Sequence, residues 1–137
     1  MALQFSTTLR NDRVSCLGTA SVTPVSLTHL TIFQGAVPAN CAAADPATAL
    51  ATISPLPSPY LTFSGGVTTI ANAGSWTTTG LSAAGAGTTA QSFRMYDTGG
   101  TCHVQGVIGT DLVLNNASIA NGQTVSVTSF TVTDGNA

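Results

Sequence analysis

The apolar and β-branched residues of this chain come in short runs, separated by segments that carry Gly, Pro or Asn. The runs fall at 27–34 (LTHLTIFQ), 50–53, 60–63, 67–71, 75–81 (SWTTTGL), 91–97 (QSFRMYD), 102–108 (CHVQGVI), 112–114 and 124–133 (TVSVTSFTVT). In the first of these Leu30 and Ile32 share one face while His29, Thr31 and Phe33 share the other, the period-2 alternation of a strand. Turn signals about every ten residues predict an all-β chain: an antiparallel β-sandwich or jelly roll of about eight strands. A 20–50-residue repeat, the mark of a solenoid or propeller, is missing.

The punctuation is informative in detail. Pro55, Pro57 and Pro59 each lack an amide donor, so their segment suits an edge or a crossing connection and not a central ladder. Gly65-Gly66 and Asn121-Gly122 read as turns. Gly99-Gly100 reads as a two-residue turn that sets Asp97 opposite Cys102 and His103 opposite Tyr96, a register that disfavours a His103–Asp97 dyad. In the closing run Val125 and Val127 share one parity, Phe130 and Val132 the other. No flat strand buries all four, which predicts a bulge near Thr128-Ser129.

With 137 residues the chain is read as one domain, 1–137, with a short N-terminal helix or arm over 1–20 and a β-sandwich over 27–137. The helical stripe is Phe5, Leu9, Cys16 and Leu17, interspersed with poor helix formers such as Thr7, Thr8 and Val14. Only 6% of residues are charged, against about 25% in an average domain. The acids are all Asp and the bases are Arg10, Arg13 and Arg94. A net charge of −2 with so few cations leaves no phosphate-neutralising patch, so no nucleic-acid partner is expected. No apolar run approaches the ~18 residues of a membrane helix, and the first residues lack a secretory leader's basic start and apolar core. No membrane partner is expected. Hydroxyl and amide side chains supply the surface polarity, giving a nearly neutral exterior that does not repel its own copies.

Chemistry is hard to assemble from these residues. Cys16, Cys41 and Cys102 are too scattered for a metal cluster, and read as buried thiols or as a Cys41–Cys102 disulfide. Gly85-Ala86-Gly87-Thr88-Thr89-Ala90 matches a dinucleotide fingerprint, but a strand and not a helix follows it, so no cofactor is expected. Gly80-Leu81-Ser82-Ala83-Ala84 falls one residue short of a nucleophile elbow. His29 has no partner in sequence, and five scattered Asp with no Glu define no acid–base pair. Neither catalytic nor metal-binding residues are assigned, and the chain is read as no enzyme. Arg94 reads either as an interface anchor or as an exposed strand residue with its stem on the sheet. The stretch 35–53, GAVPANCAAADPATALATI, reads as a connection serving fold or interface.

Several stretches resemble the cement, or decoration, proteins of tailed-bacteriophage and prophage heads: Gly35-Ala36-Val37-Pro38-Ala39-Asn40-Cys41, Phe93-Arg94-Met95-Tyr96, Cys102-His103-Val104-Gln105-Gly106 and the last seven residues, TVTDGNA. The resemblance covers roughly residues 28–137. It implies a jelly-roll β-fold and a virion structural protein, made in the bacterial host cytoplasm and carried on the outer capsid surface. There it would bridge major capsid protein subunits as a dimer or trimer. Interface candidates on that reading are Phe5, Leu9, Arg10, Arg13, Pro55, Pro57, Pro59, Tyr60 and Arg94. The alternative is a tail- or fibre-associated β-sandwich module that stacks host glycan on Trp76, Tyr60 or Tyr96.

Overall fold

The structure, a computed structural model, describes residues 26–71 and 73–133. The helix or arm expected over 1–20, with Phe5, Leu9, Arg10 and Arg13, lies outside the described residues. Strands follow one another in the order β1 (Leu27–Gln34), β2 (Thr48–Ile53), β3 (Leu61–Ser64), β4 (Val67–Ile70), β5 (Thr77–Thr79), β6 (Thr88–Thr89), β7 (Ser92–Asp97), β8 (Cys102–Val107), β9 (Leu112–Leu114), β10 (Ser118–Ile119) and β11 (Thr124–Thr133). Single 3-10 turns at Ala73–Ser75 and Ser82–Ala84 are the helical elements among the described residues. The fold is all-β, and every ladder between these strands is antiparallel, as the alternation predicts. The two-residue pieces β6 and β10, which pair with each other, are too short to show any periodicity in the sequence.

Two larger sheets form the sandwich. One has the order β2-β1-β7-β8; the other runs β3-β4-β11-β5, with β9 also on β11. Their facing sides bury Leu30, Ile32, Phe93 and Met95 from the first sheet and Val125, Val127, Phe130, Leu112 and Leu114 from the second. The Phe93 and Phe130 rings meet edge to face across the gap, 5.8 Å between centroids at 84°. Trp76 is fully buried in this core.

Tyr60 is a correction. Offered above as an interface residue, it belongs to the core, and its hydroxyl accepts the Leu27 amide at 3.3 Å. The proline segment explains this: Leu56 is buried and its amide donates to Thr28 O at 2.8 Å, so the chain is drawn over the start of β1. Pro55 and Pro59 face solvent and Pro57 is half-buried.

β11 changes parity where the sequence demands it. Val127 opposes Leu114 and Ser129 opposes Val113, which leaves Thr128 as the extra residue and turns both Val127 and Phe130 inward. The Gly65-Gly66 turn is the expected two-residue loop, with Ser64 opposite Val67 and both glycines at positive φ. At Gly99-Gly100 the expected register fails. Tyr96, not Asp97, opposes Cys102. The loop comprises Thr98, Gly99 and Gly100, with Gly100 at φ +81° and the Asp97 carboxylate accepting the Thr101 amide at 2.9 Å. A shift between Met95 and Tyr96 then leaves His103 as the odd residue of β8.

Candidate functional site

Alternation along the first sheet leaves a second row of side chains, pointing away from the core: His29, Thr31 and Phe33 on β1, with Ser92, Arg94 and Tyr96 on β7. On an antiparallel sandwich this outer face is ordinarily wet. Here it is buried: Arg94 is 1% exposed, Phe33 4% and Tyr96 6%. The cover is the 35–47 segment between β1 and β2, the Ala-rich stretch that the sequence marks as a connection.

Arg94 fastens that cover. Its Nε donates to Cys102 Sγ at 3.2 Å, Nη1 to Ala43 O at 2.9 Å and to Asp45 Oδ1, and Nη2 to Cys41 O at 2.6 Å and Asn40 O at 3.4 Å. Every guanidinium nitrogen is engaged, which makes a buried cation tolerable. Burial works against its charge, but the hydrogen bonds to Cys102 and Asp45 outweigh it and hold the guanidinium pKa above its ordinary value. Neither strand reading of Arg94 describes this: the side chain is no exposed strand residue, and its donors are spent inside its own chain.

The loop is shaped to meet the arginine. Asn40 Oδ1 accepts the amides of Ala42 and Ala43 at 2.9 and 3.0 Å, a local turn from which the carbonyls of Asn40, Cys41 and Ala43 reach Arg94. The Tyr96 hydroxyl donates to Asp45 Oδ1 at 2.6 Å. Burial first, and that carboxylate second, raise the phenol's pKa above the ordinary tyrosine value. Gln105 Nε2 donates to Pro38 O at 2.7 Å, Gln91 Oε1 accepts the Gly35 amide at 2.9 Å, and Ser92 Oγ donates to Gly35 O at 2.8 Å. So tethered, the segment turns Ala36, Ala39, Ala42, Ala44 and Ala47 to solvent.

A recess of about 340 Å³ lies between this loop and the β7–β8 tip, lined by Cys41, Asp45, Arg94, Tyr96 and Cys102 among others. Cys41 and Cys102 are free thiols, so the disulfide considered above is not formed. Burial, reinforced by a hydrogen bond with the Cys41 thiol, pushes Cys102 up to about 11. At neutral pH it is a protonated thiol and a weak nucleophile.

His103 departs from the expected pairing. As the odd residue of β8 it reaches Asp97, Nε2 to Oδ2 3.0 Å, instead of Tyr96. The ring on Tyr96 is His29, stacked at 4.9 Å and 12°. The His103–Asp97 pair sits at an exposed turn; its hydrogen bond holds the Asp97 carboxyl below the usual carboxylate range. The fingerprint-like 85–90 stretch follows the Ser82–Ala84 turn and runs into β6, with no helix behind it.

Among the described residues no three His, Cys, Asp or Glu side chains are grouped to hold a metal, and no helix is long and apolar enough to cross a membrane. Trp76, Tyr60 and Tyr96, the rings considered for sugar stacking, are all buried. Asp45 and the loop carbonyls are the partners sequence reading missed. One signal was present, a lone Arg on a strand otherwise made of Phe93, Met95 and Tyr96. No family model, curated protein or solved structure matches the chain.

Proposed function

We propose that this domain is a docking module of a phage particle: a virion structural protein that sits on the outer surface of the head and bridges major capsid protein subunits, as a cement protein does. The observation that carries the reading is the Arg94 clamp, which holds an exposed, alanine-rich loop in one conformation. A surface ordered before contact loses little entropy on binding, and small side chains allow a partner's backbone to approach closely. With 6% charged residues the molecule has little long-range field to keep identical copies apart. Many modest contacts, repeated over a shell, sum to strong retention. Self-association as a dimer or trimer, jelly-roll connectivity and an outer-capsid location belong to the same proposal.

The test compares particles assembled with the wild-type chain, without it, and with Ala39→Arg or Ala44→Arg. Both substitutions sit on the exposed side of the loop and should leave the monomer folded. Retention of wild-type protein on particles and added resistance to heat, with both lost in the arginine variants, supports the reading. Particles that lack the protein, or that are equally heat-resistant without it, refute it. A glycan-binding tail module is the weaker alternative, because the three candidate rings have almost no exposed face.

A further inference from the structure

The recess beneath the loop brings together two thiols that are far apart in the chain. Cys41 belongs to the loop and is half-buried; Cys102 opens β8 and is 9% exposed. One guanidinium holds both, through Nε to Cys102 Sγ at 3.2 Å and Nη2 to Cys41 O at 2.6 Å. The two side chains line the same recess, and the Cys102 thiol donates to Val104 O at 3.5 Å. The Arg94 clamp does not need them bonded, since the loop is already tethered by Asp45, Ala43 and Asn40.

We propose that Cys41 and Cys102 form a redox-responsive pair, in which exchange with a small-molecule disulfide closes a Cys41–Cys102 bond and locks the loop to β8. The chemistry balances within that exchange. One protein thiol loses its proton, attacks the external disulfide and forms a mixed disulfide, releasing one thiolate. The second protein thiolate attacks the protein sulfur of the mixed disulfide, forms the internal S–S bond and expels the other half. Two protein thiols are oxidised, and one external disulfide is reduced to two thiols. Arg94 lies against Cys102 Sγ, where its charge stabilises the transient thiolate. A cross-link here closes a long stretch of chain, which restricts the unfolded state. The proposal does not rest on the capsid role and holds for the isolated protein.

The experiment equilibrates the purified full chain at pH 8 in glutathione with increasing glutathione disulfide, quenches with acid, alkylates free thiols and maps peptides without reductant. The expected product has no disulfide between chains, with a peptide containing Cys41 joined to one containing Cys102. Its Tm should exceed that of the reduced chain by roughly 10 °C. Cys16→Ser should retain both the bond and the shift, while Cys41→Ser, at the half-buried position, should lose both. Thiols at 41 and 102 that stay alkylable in excess glutathione disulfide would overturn the proposal, as would a bond made only through Cys16 or between chains. A Cys41–Cys102 bond that leaves Tm unchanged would overturn the locking role.

Discussion

The Tyr96 hydroxyl donates to Asp45 at 2.6 Å, across 51 positions of sequence, and takes the same carboxylate oxygen that Arg94 holds. Two residues of β7 thus share one acceptor on the loop, so removing the Tyr96 hydroxyl and removing the Asp45 carboxylate should not act independently. Tyr96→Phe should cost about 1 kcal/mol. Asp45→Ala should also cost about 1 kcal/mol, because the carboxylate is 50% exposed and its ion pair is screened. In a double-mutant cycle read by urea denaturation, the pair should lose less than the sum.

Arg94→Leu removes the guanidinium donors that hold the 40–45 stretch and strips the carbonyls of Asn40, Cys41 and Ala43 of their partner. The expected loss is about 3 kcal/mol, with faster amide exchange confined first to the 36–47 segment. Arg94→Lys should recover little of it, since a compact ammonium cannot span acceptors arranged around a planar fork.

Raising the pH should weaken the fold, and with no lysine in the chain the buried thiol and phenol carry the effect. Cys102, pushed up to about 11 from a model-peptide value of 9.0, keeps its proton longer in the folded chain than in the unfolded one. Its contribution is complete below pH 9 and is lost as pH climbs to about 11. Tyr96, also raised, acts in the same direction. Urea midpoints measured between pH 8 and 11 should fall, and Cys102→Ala should flatten that decline. Alkylation of Cys102 in the folded Cys16→Ser, Cys41→Ser chain should accelerate about tenfold per pH unit across most of this range.

At the β7–β8 tip the sign reverses. Asp97 is held low by His103, so its titration in the folded chain should fall below that of an unfolded one. Whatever stability it adds is present above the unfolded pKa and is lost as pH drops through the folded value. Carboxyl NMR should locate the Asp97 titration, and His103→Gln should move it upward.

Gly80 lies against backbone. A Cβ there would stand 2.0 Å from Ala120 O and 2.9 Å from Ile119 Cγ2. Its own amide and carbonyl bind Gln123 O and the Gly122 amide at 2.8 and 2.9 Å, so neither side can retreat cheaply. Gly80→Ala should therefore cost about 3 kcal/mol, measured by chemical denaturation.

Most of the sandwich was legible because its determinants are local. Leu30 and Ile32 announce an inward face by alternation, and the parity break between Val127 and Phe130 announces the Thr128 bulge. The clamp was not legible for the opposite reason. Arg94 meets Asn40, Cys41, Ala43 and Asp45 only after β1 and β7 have paired, and no short-range pattern encodes that meeting. The Gly99-Gly100 register failed on a smaller scale. The Asp97 carboxylate captures the Thr101 amide and lengthens the loop by a residue, which slips Cys102 and brings His103 to Asp97.

β11 serves β5 with residues 124–126, β9 with 127–130 and β4 with 131–133. Three seams therefore hang from one rail. Tension on any single neighbour is passed along that rail to the other two, so the sheet resists peeling and should give way in one abrupt event, the failure mode of a rivet and not of a zipper.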